Sequence, residues 1–162
     1  MKRTEDLYRE GVLNAQAERK WEIPISAPVH FRPKKVTIDP WLLGILLGDG
    51  HFVGSDVSVS NTERDIINRC SAAANCTMYE RTNRVCAIFQ DKGSLHYRLL
   101  DYGLQGLHSW EKFIPKEYKY NSIDVRLGIL RGLIDSDGSV SGTQVTITST
   151  SLRLIRELPV RV

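Results

Sequence analysis

Two phrases in this chain say nearly the same thing: LLGILLGDG at residues 42–50 and LRGLIDSDG at residues 130–138. Each is an apolar run with small residues spaced by four, and each closes on an acid followed by glycine. The repeat constrains the fold strongly, because a duplicated unit has the same face to bury twice. The small residues are Gly44 and Gly48 in the first copy, and Gly128, Gly132 and Ser136 in the second. A spacing of four is helical, so each phrase predicts a helix with one face stripped of bulk. Such faces let two backbones approach closely, a rule best known in membranes but steric in origin. Packed side by side in parallel, the two helices bring Asp49 and Asp137 together at their carboxyl ends.

The second phrase has other readings. LGILRGLIDSDGSV (127–140) also matches the opening of aspartate-nucleophile phosphatases, where D-x-D-G follows a buried strand. Few residues follow Gly138, too few for the βα units such an enzyme needs, and Arg131 would interrupt a buried strand. A calcium loop starting at Asp135 needs a glutamate at its twelfth position, where this chain has Thr146. The helical reading accounts for both phrases. It also sets a problem, since acids at helix carboxyl ends face the negative pole of the macrodipole. One such Asp reads as a turn residue; a symmetric pair points to a divalent cation, and Mg²⁺ (or Mn²⁺) suits carboxylates and water.

The rest of the chain falls into helix and strand signals around these phrases. Asp39-Pro40 forms a helix start, with Asp as cap and Pro at the first position. Val57 and Val59 alternate with Ser58 and Ser60, the period of a half-buried strand. Residues 62–75 predict a helix with Ile66, Ile67, Cys70 and Ala74 on one side. A hairpin follows, CTMYER and RVCAIFQ about a turn at Thr82-Asn83, then a helix opened by Ser94 and closed by Gly103. Ser122 opens the second motif helix; an alternating strand TQVTIT and a helix over 149–158 follow. The pattern is complete once and lacks its last hairpin and helix the second time. Residues 1–35 read as an appended connector, in which Pro24, Pro28 and Pro33 favour extended chain.

Composition narrows the class. At 162 residues with 41% hydrophobic content the chain can bury one core, or two lobes sharing one. The net charge of +3 permits nucleic-acid binding without demanding it. No apolar stretch is long enough for a membrane span, and MKRTEDLYREG has no apolar core behind its basic residues. Cys70, Cys76 and Cys86 show no metal spacing and fit reduced thiols, so a cytoplasmic, reducing compartment is expected.

At this point the residues match a family. LRGLIDSDG is similar to the LAGLIDADG motif of homing endonucleases, and LLGILLGDG looks like its first copy in two-motif, single-chain members. KFIPKEY (112–118) resembles the K-x-I-P block that precedes the second motif in intein-associated (DOD-type) endonuclease domains. The resemblance implies an α+β fold: a pseudo-twofold tandem αββαββα, with two antiparallel sheets flanking a central two-helix interface. The divisions would be a connector (1–35), a first repeat (36–110) and a second, truncated repeat (111–162). It implies metal-binding catalytic acids Asp49 and Asp137, and a lysine, Lys112, that polarises water or stabilises charge; an ordinary exposed lysine would read the same way. The activity implied is site-specific cleavage of double-stranded DNA, with an intein-derived or intron-homing origin. The chain starts with Met and ends in PVRV, so self-splicing is not expected.

Alternating positions on the strands supply a candidate DNA face: Ser58, Ser60, Thr77, Tyr79, Arg81, Arg84, Gln90, Gln144, Thr146 and Thr148. Arg and Gln make bidentate base contacts in the major groove, although each residue singly also fits a solvated sheet exterior. With the second lobe short, self-association or a second chain would complete the DNA-facing saddle. The competing reading is a non-cleaving nucleic-acid binder, maturase-like, or a degenerate remnant on the same scaffold.

Overall fold

The computed structural model describes residues 3–21, 27–80, 87–90 and 94–158. A short helix α1 (Thr4–Glu10) buries nothing. Residues 27–38 then run without helix or strand to the first motif. This run is held by polar side chains from later in the chain. Buried Asn121 donates to the Lys34 carbonyl (2.9 Å) and accepts from the Lys34 N–H (2.9 Å). The Tyr118 hydroxyl does the same to Ile38, donating at 2.8 Å and accepting at 3.0 Å. Buried backbone needs such partners, and here they tie the run before α2 to the segment before α6.

The helix α2 (Pro40–Gly48) starts where Asp39-Pro40 predicts, with the Asp39 carboxylate accepting from the Leu42 N–H at 3.0 Å. Trp41 to Leu47 are buried without a break, so this helix is covered on every side. One cover is α6 (Ile123–Asp137), and the contact is backbone on backbone. A methyl added to Gly44 would lie 2.8 Å from the Gly132 Cα and collide with the Ile129 carbonyl; one on Gly132 would lie 2.8 Å from the Gly44 Cα and collide with the Trp41 carbonyl. Gly44 faces Ile129, Gly132 and Leu133, while Gly132 faces Trp41, Gly44 and Ile45. These are the same relations with the helices exchanged, the mark of a twofold contact. Further along, Gly128 meets Pro40 and Gly48 meets Ser136, so the helices run parallel.

Two antiparallel sheets follow the motif helices. The first contains β1 (Gly50–His51), β2 (Ser58–Val59), β3 (Met78–Glu80) and β4 (Ala87–Phe89) in the order β1-β2-β4-β3. Helix α3 (Arg64–Ala74) joins β2 to β3, and its end is an αL turn at Asn75. Helix α4 (Ser94–Asp101) comes after β4. Ser94 does not cap it from outside; it is the first helical residue, and its hydroxyl accepts from Arg98 at 3.1 Å. The short helix α5 (Lys116–Lys119) precedes α6, and β5 (Gly138–Ser141) and β6 (Gln144–Ile147) form the second sheet, a hairpin turned at Gly142. Helix α7 (Leu152–Glu157) follows, its Ser151 cap accepting from the Leu154 N–H at 3.1 Å.

The duplication extends beyond the helices with one constant displacement along the chain. Gly50 pairs with Val59 and His51 with Ser58; correspondingly, Gly138 pairs with Ile147 and Ser139 with Thr146. Ser60 N–H reaches the Asp49 carbonyl at 2.9 Å, as Thr148 N–H reaches that of Asp137 at 3.3 Å. Helices α3 and α7 begin at equivalent residues, 64 and 152. A strand reading of the second motif is thereby excluded. Among the described residues the second copy holds one hairpin where the first holds two.

Alanine at Gly44 or Gly132 should therefore destabilise the protein by about 2 kcal/mol in urea unfolding. Over-packing against backbone that cannot rotate away costs up to about 3 kcal/mol, and better helix propensity offsets about 1 kcal/mol. Gly54→Ala is the control: its added methyl meets nothing within 4 Å, and stability should hold within about 0.5 kcal/mol.

Candidate active site at the paired helix ends

The glycine contact delivers both motif acids to one place. Asp49 caps α2 with its N–H on the Ile45 carbonyl (2.9 Å) and its carboxylate accepting from the Asn61 side-chain amide (2.9 Å). Asp137 is the last residue of α6, and a methyl added to Gly48 would lie 3.1 Å from its Oδ2. Loss of hydration pushes the Asp137 carboxyl upward, the Asp49 charge pushes it further, and the Lys112 ammonium pulls it back. The two acids thus share a field, at helix ends whose own dipoles repel negative charge.

Lys112 supplies the counter-charge. Only 2% exposed, it is not the solvated lysine that its sequence context equally allowed. Its Nζ donates to the carbonyls of Leu46 (3.0 Å) and Gly48 (3.1 Å) in the last turn of α2 and of Gly50 (2.7 Å) at the start of β1. Burial lowers its pKa to about 8, with Asp137 and Asp49 acting in the opposite direction. Its own carbonyl accepts from the Ser151 hydroxyl at 2.6 Å, so the cap of α7 anchors the lysine that closes α2.

Asp135, the other acid of the DSD box, has a separate task. Its Oδ2 accepts from the Trp41 indole N–H at 2.6 Å and lies 3.6 Å from Arg69, whose guanidinium sits 3.7 Å over the Trp41 ring. It ties α6 to α2 and α3. The sequence spacing did not reveal this contact, because Trp41 is an ordinary apolar residue in the motif pattern. Asn61 was missed as well; the one signal for it was its position directly after the alternating strand.

The candidate DNA face is placed unevenly. Strand register puts His51, Ser58, Ile88 and Tyr79 in one cross-strand row, on the face turned away from Val59. Thr77 and Gln90 meet one step along, the Thr77 hydroxyl 3.0 Å from Gln90 Oε1. Ser60, Thr77, Tyr79 and Gln90 are exposed, as are Gln144, Thr146 and Thr148 on the second hairpin. Ser58 corrects the sequence reading: it is 8% exposed, because β2 is an interior strand and its small side chain sits between His51 and Ile88. Its counterpart Thr146 is open to solvent. Arg81 and Arg84 lie outside the described residues.

Among the described residues no three His, Cys, Asp or Glu side chains converge to enclose a metal. Two carboxylates with conflicting charge do meet, which suits Mg²⁺, an ion that keeps several waters and takes one or two carboxylates plus phosphate oxygens. The chemistry of this pair, two carboxylates and room for water, is compatible with such an ion. No helix among the described residues is long and apolar enough to cross a membrane.

The raised Asp137 carboxyl sets a pH signature in metal-free protein. The folded state holds this proton more tightly than the unfolded chain, whose reference value is 3.8. Stability from this group is therefore full below about that pH and is lost as pH rises through the folded value. Asp137→Asn should accordingly melt above the parent at pH 7 in chelator. The advantage should shrink toward zero as pH falls below about 4, where the parent carboxyl is protonated.

Comparison with known proteins agrees with this geometry. Residues 124–159, which span most of α6, the β5–β6 hairpin and α7, match the LAGLIDADG-like domain. A second similarity is to the replicative DNA helicase DnaB of Mycobacterium intracellulare, 31% identical over 122 residues, covering 75% of this chain and 18% of the helicase. The chain thus spans less than a fifth of that relative. The match falls on the second motif helix and the hairpin and helix that follow it, so residues 124–159 of this chain form a LAGLIDADG-like domain.

Proposed function

We propose that this protein is a metal-dependent, site-specific endonuclease of the homing type, acting on double-stranded DNA. The observation that carries the reading is the convergence of Asp49 and Asp137 at the ends of two parallel helices, beside a buried lysine. A structural helix pair has no need of that arrangement, which concentrates repulsion. We divide the chain into a connector (1–35) and two repeats (36–110 and 111–162). We also read it as derived from an intein, since a match to 18% of a much longer helicase fits a segment carried within other proteins.

In this reading Asp49 and Asp137 hold Mg²⁺ or Mn²⁺, which when bound activates water for phosphodiester hydrolysis and offsets charge on the phosphate. Lys112 contributes charge. All three of its ammonium hydrogens are engaged by carbonyls, so it steadies the end of α2 and places a cation beside the acids rather than moving protons. The exposed Gln144, Thr146 and Thr148 on one hairpin, and Ser60, Thr77, Tyr79 and Gln90 around the other sheet, would face the duplex, where polar side chains read base edges. Backbone phosphates would add a salt-dependent term.

The test is cleavage of a supercoiled plasmid library carrying randomised sites, with Mg²⁺, beside Asp49→Asn and Asp137→Asn. The parent should linearise a specific subset, and each variant should lose at least about a hundredfold in rate, as expected for removing a metal-holding carboxylate. Site-specific binding with no cutting in Mg²⁺ or Mn²⁺ would replace the nuclease with a maturase-like binder on the same scaffold.

A further inference from the structure

Asn61 stands where the first repeat turns from β2 into α3, and its two polar atoms do different things. Its Oδ1 accepts from the Glu63 N–H at 2.8 Å, an Asx turn that opens α3. Its Nδ2 donates to Asp49 Oδ2 at 2.9 Å. The first bond dictates the second: a backbone N–H requires the oxygen, so the amide hydrogens must face the carboxylate. The second repeat has Ser149 at the equivalent place. Its hydroxyl accepts from the Ser151 N–H at 3.1 Å, the same turn two residues ahead of the same helix. Serine carries no amide, so the duplication has kept the turn in both copies and the amide beside the acid in only one.

We propose that Asn61 is a positioning residue: it fixes the Asp49 carboxylate by occupying Oδ2, so that the other oxygen is presented to the cation. The proposal rests on the metal-endonuclease reading above. Outer-sphere donors of this kind orient ligating carboxylates and set their affinity. It follows that the two acids of the pair are not equivalent. Asp49 is held in place by a side chain of its own repeat, whereas at the equivalent place the repeat of Asp137 has Ser149, which makes the turn and supplies no amide.

The second repeat also suggests the test. Asn61→Ser should keep the turn acceptor, as Ser149 does, and delete only the amide. Mn²⁺ binding to the full chain, without DNA, is followed by electron paramagnetic resonance, and thermal melting is recorded in chelator. The parent should bind and Asp49→Asn should not. Asn61→Ser should melt with the parent but bind Mn²⁺ about tenfold more weakly, the lower end of outer-sphere effects. If serine lowers the melting midpoint, Asn61→Thr is judged by the same comparison, since its hydroxyl also accepts. Equal Mn²⁺ affinity in the parent and a stably folded Asn61 variant would overturn the role of Asn61 and leave the metal site standing. A parent chain that binds no Mn²⁺ would overturn both.

Discussion

The architecture depends on one contact, the meeting of two helix backbones at Gly44 and Gly132. With their Cα atoms this close, no side chain fits between the helices, and the dispersion gain is that of closely packed main chain. The contact is reciprocal, so it imposes a local twofold relation on whatever each helix carries. Asp49 and Asp137 are neighbours for that reason alone. Each is the residue at which its helix stops, and the strands leave from the same level on both sides. A wider interface would separate the acids and splay the two hairpins.

Bringing the acids together concentrates negative potential, and Lys112 is the fold's own compensation. It binds three carbonyls where α2 gives way to β1 and sits near both carboxylates. Because it precedes α6, is held by Ser151 and binds the end of α2, it also ties the two motif units to each other. The Trp41–Asp135–Arg69 cluster and the Asn121 and Tyr118 contacts to Lys34 and Ile38 do the same elsewhere. Among the described residues none of these ties is repeated at the equivalent positions of the other copy. The symmetric contact therefore builds the site, and unsymmetric polar contacts lock the repeats around it.

Much of this was legible from residue spacing. The helix at 40–48 was marked by Asp39-Pro40, because capping is a local geometry that a dipeptide nearly specifies. The small-residue faces were marked by intervals of four, and α3 by Ile66, Ile67, Cys70 and Ala74 on one side, of which Ile66 is only half-buried. The alternation that marks β2 placed Ser58 on the correct face but gave the wrong exposure. Period two says which side a residue takes, and says nothing of whether neighbouring strands cover it. Asn61 and Asp135 were invisible as partners for the same reason: Asp49 and Asn61 belong to different elements, and Trp41 and Asp135 to different repeats.

The sequence by itself determined that two helices of like pattern exist, that each bears a bare face, and that each ends in an acid. Those are properties of local periodicity and of residue size, which survive without a partner. Only the tertiary structure decided that the faces meet each other, that Lys112 is buried on the carbonyls of α2 instead of standing in solvent, and that Asp49 alone gains an amide. Each of those depends on how far apart two distant segments come to rest, and that distance is set by packing between elements, which no single stretch of sequence encodes.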